Sequence, residues 1–174
     1  MLAKCVGALC ILSASLWWSN LQIAKLKARV RQLEAFRLGL RLLAAEVGYT
    51  ATPLPRALKQ VAKQLGVESV SAFFQAVCRN LQEEKFSDAT GAWLAAIEAK
   101  RENLQLTAND WMILSRAAAG LGGLGRDDQL KQLAAAETQL AAQAAEAAAA
   151  FAGSEKMWRY LGILSGLAVV ILLL

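Results

Sequence analysis

The chain contains two prolines, Pro53 and Pro55, and they mark one break in a sequence that otherwise favours helix. Alanine and leucine dominate its 174 residues, and both have high helix propensity. Thr52 before Pro53 predicts a helix start, because the hydroxyl can accept an orphan amide and proline at the first helical position loses no hydrogen bond. The residue before a proline disfavours helical geometry, so the preceding helix is predicted to end by Ala51.

Charged residues flank this break on both sides. Glu46 and Tyr49 lie three apart near the end of the preceding helix and share a face. The Glu46 carboxylate could reach back to the positive end of the next helix, or be a solvated acid at a helix end. On the next helix, Arg56, Lys59 and Lys63 are predicted to lie on the polar face.

Both ends of the chain are apolar. Residues 2–18 are barely long enough to span a bilayer, which requires about 20 residues, with about 17 as the lower limit. Trp17 and Trp18 end this stretch, where an interfacial aromatic belt would lie, and a basic run follows directly. A cleaved signal peptide is the alternative, but the basic flank favours an anchor whose following segment stays in the cytoplasm.

The C-terminal end mirrors this arrangement. Lys156, Trp158, Arg159 and Tyr160 precede an apolar stretch at 161–174. The positive charges again lie towards the middle of the chain, which predicts a cytoplasmic middle and two external termini. We therefore expect an anchor at 1–19, a cytoplasmic helical bundle at 20–157 and a transmembrane helix at 158–174.

The middle of the chain has helical periodicity throughout and no segment with strand alternation. The first helix is predicted from Leu21. The later starts are predicted at Thr52, at Ser69 or Ser71, at Ser87 or Asp88, at Thr107 with Asp110 in the reciprocal capping position, and at Asp127 or Asp128. The predicted fold is all-α, a bundle of about six helices flanked by the two transmembrane helices.

The composition argues against most enzymatic sites. There is no histidine, which excludes histidine-based acid–base chemistry, Ser/His and Cys/His nucleophile pairs and histidine-ligated metals. The three cysteines form no readable disulfide or metal framework. We therefore predict a protein that is not an enzyme, with no catalytic residue, no cofactor, no metal and no small-molecule substrate.

Two stretches resemble ligand-binding motifs, but their context argues against ligand binding. The basic run at 25–41 lacks the aromatic residues that stack on nucleic-acid bases and directly follows an apolar segment, so no nucleic-acid partner is predicted. Residues 120–125, with the sequence GLGGLG, match the spacing of a dinucleotide-binding loop, but a helix rather than a strand precedes them. We interpret these glycines as a helix stop and a reversal of the chain.

The break at Pro53 also contains a family signature. Arg41-Leu42-Leu43, Glu46, Tyr49, Thr52, Pro53 and Leu54 resemble the "RLL…E…Y…TPL" pattern of the stage III sporulation protein AB family. Trp93, the glycine-containing turn at 121–129 and the apolar tail agree with it, so the resemblance extends almost from end to end.

This resemblance implies a function. The family belongs to a channel complex between mother cell and forespore, its soluble part is similar to the helical domains of the type II secretion platform protein F, and its expected partner is a secretion-type ATPase, stage III sporulation protein AA. It implies a non-catalytic assembly component in the mother-cell membrane facing the forespore. A membrane-tethered regulatory module unrelated to secretion is the alternative. The partner surface is placed at the family signature and the adjacent polar face: Glu46, Tyr49, Thr52, Pro53, Arg56 and Lys59. Equally, these residues could only fix how the first helix meets the bundle.

Overall fold

The computed structural model describes residues 2–49, 52–83, 86, 88–121 and 125–173. Within these ranges the chain forms six α-helices and one 3₁₀-helix at Arg101–Asn103, and no strand. The α-helices are α1 (Leu2–Tyr49), α2 (Leu54–Gln64), α3 (Glu68–Gln82), α4 (Ala89–Lys100), α5 (Ala108–Ala119) and α6 (Arg126–Leu173). The expected all-α fold is confirmed, and each apolar end forms part of a long helix rather than a separate one.

The chain divides into two compact units. The larger unit is Arg29–Ala145, which contains α2 to α5 together with the adjoining parts of α1 and α6. The smaller unit combines Met1–Ala28 with Glu146–Leu174. All the contacts described below lie within the larger unit.

Four aromatic side chains form the centre of the larger unit. Phe36 of α1 lies 5.2 Å from Phe73 of α3 between ring centroids, and Trp93 of α4 lies 5.1 Å from Phe73. Phe74 completes the cluster, and all four side chains are fully buried. A Cβ added at Gly39 would lie 2.6 Å from the Phe74 ring, so glycine is what lets α3 approach α1 here. The core thus joins helices that are distant in sequence.

The predicted helix starts are confirmed at α4 and α5, whereas α3 begins at Glu68, one residue before the predicted Ser69, and no side chain caps it. Asp88 is the N-cap of α4 and accepts the Gly91 amide. Thr107 and Asp110 form the capping box of α5. At α6 the prediction was wrong, because the helix begins at Arg126 and the two aspartates that follow lie inside its first turn.

The smaller unit consists of the two outer helical segments. Trp17 and Trp18 are exposed, whereas Ser19 is buried. Among the residues that the structure describes, no helix contains a stretch that is both long enough and apolar enough to cross a membrane. This finding does not support the spans expected at 1–19 and 158–174, whose terminal residues 1 and 174 lie outside the described residues.

Candidate functional site

The corner between α1 and α2 begins with an unexpected cap. Pro53, rather than Thr52, is the N-cap residue of α2, with φ −53° and ψ 134°, and no side chain caps the helix. The Pro53 carbonyl accepts the amides three and four residues further on, at 2.9 and 3.1 Å. The predicted Thr52 cap is therefore wrong, because the Thr52 hydroxyl donates instead to Oε2 of Glu46, at 3.1 Å.

Glu46 ties the end of α1 to α2. With the Gln60 amide oriented so that its nitrogen faces the carboxylate, that nitrogen donates to Oε1 of Glu46 at 2.8 Å. The Thr52 amide also donates to the Glu46 carbonyl, at 3.4 Å. The sequence left open whether this carboxylate reaches the positive end of α2 or is solvated, and the structure instead pairs it with side chains before and within that helix. These contacts fix the geometry of the corner.

The start of α6 closes this corner from another side. The Arg126 guanidinium donates to the Gly48 carbonyl, one residue before the end of α1. A cation here is favourable, because carbonyls at a helix end have no intrahelical partner and the helix dipole is negative there. A Cβ added at Gly48 would lie 3.3 Å from Leu130, so this glycine permits close contact with α6.

The other predicted partner residues lie on the outside of the corner. Pro53, Arg56 and Lys59 are exposed. Among the described residues, neither Arg56 nor Lys59 has a hydrogen-bond or ion-pair partner. Tyr49 is the last residue of α1, and its side chain lies outside the described part of the structure. Within the described residues, the corner thus combines a satisfied carboxylate with two unpaired cations.

A second polar centre lies between α1, α5 and α6, and we call it the Asp110 clamp. Arg29 donates from Nε to Oδ2 of Asp110 at 2.9 Å and from Nη2 to Oδ1 at 3.1 Å. The Thr107 amide donates to the same Oδ2 at 2.8 Å, and Arg29 Nη2 also reaches Gln143 Oε1 at 3.3 Å. One guanidinium therefore joins α1 to α5 through a two-pronged ion pair and to α6 through a hydrogen bond.

The Asp110 side chain is 0% exposed, and its partners keep it charged. Burial alone would raise the pKa of this carboxyl, because it disfavours the charged form. The hydrogen bonds from Arg29 and Thr107 outweigh burial, so the pKa lies below its ordinary value. The clamp is a buried ion pair with its hydrogen-bonding capacity largely used.

A third group, the Glu137 cluster, joins α1 to α6 nearer the surface. Glu137 Oε1 accepts from Arg41 Nη2 at 2.7 Å and from Arg37 Nη2 at 3.1 Å, and Arg37 also pairs with Glu34. The hydrogen bond from Arg41 lowers the pKa of Glu137, burial opposes it, and Arg37 lowers it further. The side chains of Glu137 and Arg41 are 21% and 65% exposed, so water reaches this cluster.

Sequence patterns identified only part of these centres. Thr107 and Asp110 were predicted from their spacing of three, but Arg29 is 81 residues from Asp110 and no local pattern links them. In the sequence, Glu137 interrupts the apolar face of the last helix. An acidic residue at such a position is a signal, though an unspecific one, that a basic residue of another helix lies opposite. The basic run at 25–41 therefore has internal partners at Arg29, Arg37 and Arg41.

The remaining motifs give no further site. Residues 122–124 of the glycine-rich turn lie outside the described residues, while Gly120 is the C-cap of α5 and Gly125 directly precedes α6. A Cβ at Gly120 would lie 2.7 Å from Gln132 Cβ, so this glycine allows close packing on α6. Within the described part of the chain, no group of three or more metal-ligating side chains is present.

Comparison with known proteins accounts for the signature at the corner. A model of the stage III sporulation protein AB family matches residues 4–174. The chain belongs to this family. It is 36% identical to the stage III sporulation protein AB of Bacillus subtilis (strain 168) over 172 residues, which is 98% of this chain and 99% of that protein. A solved structure of a stage III sporulation protein AB matches with a TM-score of 0.67 and 34% identity, and it covers 72% of this chain and 97% of its own.

Membership confirms the resemblance drawn from the sequence. Glu46 and Thr52, two residues on which that resemblance depends, are hydrogen-bonded to each other. Arg41, a third, binds Glu137 on α6. These residues of the family signature therefore hold α1 against other parts of the larger unit.

Proposed function

We propose that the chain is a non-catalytic assembly component of a sporulation channel complex, where it couples a cytoplasmic secretion-type ATPase to the membrane machine. Membership of the stage III sporulation protein AB family supports the sporulation role. A helical bundle without a recognisable catalytic constellation among its described residues supports an interaction role. The expected ATPase is stage III sporulation protein AA.

We further propose attachment to the mother-cell membrane through the two ends of the chain. The support is the sequence pattern: apolar ends, aromatic residues beside them, and basic residues towards the middle. Alkaline phosphatase fused after Trp18 or within 20–157 is then expected to be inactive, because the enzyme folds only outside the cytoplasm. Active fusions at these positions would contradict the proposed orientation.

The ATPase-binding surface is proposed at the α1–α2 corner. The observation that supports it best is the pair of exposed cations Arg56 and Lys59, which lack partners among the described residues, beside the hydrogen bonds of Glu46. Exposed charges of one sign steer an oppositely charged partner and increase its rate of association. Binding there should be weak and sensitive to salt.

Charge reversal tests this surface. Arg56→Glu with Lys59→Glu should leave the helical content and the unfolding midpoint unchanged, because both side chains are exposed, but should reduce membrane recruitment of the ATPase in sporulating cells. Arg116→Glu with Lys131→Glu, which reverses two exposed cations elsewhere, should retain recruitment. Full recruitment by the corner variant would place the binding surface elsewhere.

Deletion of the whole protein tests the adaptor role itself. Loss of the ATPase from the membrane and loss of sporulation are the expected results. An ATPase that stays at the membrane, with normal sporulation, would contradict the adaptor role. If affinity purification instead recovered a kinase, phosphatase or transcription factor, a regulatory module would be the better interpretation.

A further inference from the structure

A groove lies between α2 and α3 on the side of the larger unit that presents Lys59. Its volume is about 310 Å³. Lys59 and Lys63, four residues apart, line it from α2, and Gln75, Arg79 and Gln82 line it from α3. Residues spaced by three or four lie on one helix face, so two rows of long polar side chains flank the groove. Ala62 and Cys78, two small residues, also line it.

The charge of this α2–α3 groove is of one sign. Lys59, Lys63 and Arg79 are exposed and have no ion-pair partner among the described residues. No described lining residue is acidic. This differs from the Glu137 cluster, where the arginines of α1 have carboxylate partners within the chain. Three such cations around one concave surface are complementary in charge to an acidic partner.

We infer that the α2–α3 groove binds an extended acidic segment of a partner protein, with the carboxylates of that segment placed between Lys63 and Arg79. Gln82 lies seven positions after Gln75 on α3, which is about 10 Å of helix. An extended chain of about three residues covers this length, and its alternate side chains point the same way. Two carboxylates two residues apart therefore fit the groove. The Gln75 and Gln82 amides can donate further hydrogen bonds to them.

The lining residues favour this occupant over other polyanions. No described lining residue is aromatic, so the groove offers no platform for stacking nucleic-acid bases. None of the large exposed apolar side chains of the described residues lines it, so nothing there would enter the acyl region of a lipid surface. The volume lies at the lower end of the range for ligand pockets, which suits a few side chains.

Binding of defined peptides to the full chain in neutral detergent tests the inference. Fluorescent hexaglutamate should bind, with an affinity that falls as salt rises, and hexaglutamine of the same length should not. Lys63→Gln with Arg79→Gln should weaken hexaglutamate binding about tenfold, roughly threefold for each exposed positive charge that is removed. Arg116→Gln with Lys131→Gln removes the same charge elsewhere and should change the affinity less than about twofold.

A second pair of variants adds charge instead of removing it. Gln75→Glu with Gln82→Glu places two carboxylates in the groove at exposed positions and should weaken hexaglutamate binding at least as much. Circular dichroism and the unfolding midpoint should match the parent chain. This pair decides the question if the first pair does not fold.

Three results would overturn the inference. If the Lys63/Arg79 variant and the Arg116/Lys131 variant weakened hexaglutamate binding equally, the binding would depend on the net charge of the protein and not on the groove. Displacement of the peptide by inorganic phosphate, at an ionic strength where chloride does not displace it, would mean a small-ion site. Binding to phosphatidylglycerol vesicles that depends on Lys63 and Arg79, without hexaglutamate binding, would mean a lipid surface.

The inference rests on the proposed function only in requiring a protein partner. Lys59 lines the groove as well as the corner, so Arg56→Glu alone is the variant that tests the corner separately. Hexaglutamate binding at the groove together with full ATPase recruitment by Arg56→Glu would retain the groove and reject the corner. Loss of ATPase recruitment in the Arg56→Glu variant, together with no hexaglutamate binding to the parent chain, would retain the corner and reject the groove.

Discussion

The Asp110 clamp and the Glu137 cluster both hold the basic face of α1 through a carboxylate, but they differ in burial. In the clamp, Asp110 is fully buried and Arg29 is 19% exposed. In the cluster, Arg41 is 65% exposed and Glu137 is 21% exposed. The number of hydrogen bonds is similar at the two places, so water access is the main difference between them.

This difference determines what each contact contributes. Loss of one partner from a buried pair leaves a charge without solvent or counter-charge, at a typical cost of about 3–5 kcal/mol. An exposed pair exchanges its partner for water and contributes about 0–1 kcal/mol. The geometry of α1 in the larger unit should therefore depend on Arg29 far more than on Arg41.

The largest effect is expected from Asp110→Asn. This change keeps the size of the side chain but removes the charge that Arg29 faces, and it replaces one of the two accepting oxygens with a donating NH2 group. The free energy of unfolding should fall by about 3 kcal/mol in urea denaturation. Adding Arg29→Met should recover part of this loss, because the unpaired charge is then gone. A loss below about 1 kcal/mol would mean that the clamp contributes no more to stability than an exposed ion pair does.

A pH series sharpens the comparison. The pKa of Asp110 is lowered in the folded protein, so its contribution is complete above the unfolded value of about 3.9 and is lost as pH falls towards the folded value. The stability difference between the parent chain and Asp110→Asn should therefore narrow as pH falls below about 4. Urea midpoints of the parent chain and of Asp110→Asn, measured from pH 6 downwards, would show this narrowing; a constant difference would contradict the assigned charge state.

A smaller effect is expected from Glu137→Gln. The change removes the counter-charge of Arg37 and Arg41, but water can replace it, so the free energy of unfolding should fall by about 0.5 kcal/mol. The loss should disappear in about 1 M salt, where charges are screened within a few ångströms. A loss that persists at high salt would show that the cluster acts through packing rather than through charge.

The smallest effect is expected from Thr52→Ala. A true N-cap contributes about 1 kcal/mol, but the Thr52 hydroxyl binds Glu46 and caps no helix. We expect a loss below about 0.5 kcal/mol, since a partly exposed side-chain hydrogen bond is readily replaced by water. Thr107→Ala, at the observed capping box, is the matched control and should cost about 1 kcal/mol. Equal losses for the two would contradict the assigned cap.

These threonines also show how far the sequence predicts the structure. Thr107 and its partner Asp110 are three residues apart, so the motif that predicts the cap contains all the atoms that form it. Thr52 has the same local pattern, but Glu46 competes for its hydroxyl from across a change of chain direction. The fold class and the starts of α4 and α5 follow from such local patterns, whereas the contact between Thr52 and Glu46 depends on the angle of the corner.

Contacts between helices that are distant in sequence could not be predicted either, because they depend on how those helices pack together. Arg29 was one of several basic residues on a helix face, and its role depends on α5 and α6 packing beside it. Of the predicted site residues, Glu46 and Thr52 are brought together, whereas Arg56 and Lys59 remain a prediction as a partner surface. A single sequence gives the faces of helices but not which faces meet.

The contact between Arg29 and Gln143 has a mechanical consequence. These residues are 114 positions apart, yet they lie beside the two places where the chain enters and leaves the larger unit. Tension that separates the two connecting segments would load this point first and peel α1 from α6, one contact after another. Tension applied to both segments in the same direction would move the unit as a whole. The unit should thus open at low force when the two segments are pulled apart, which an optical-trap experiment with handles at residues 28 and 145 can measure, and Arg29→Met should lower that force further.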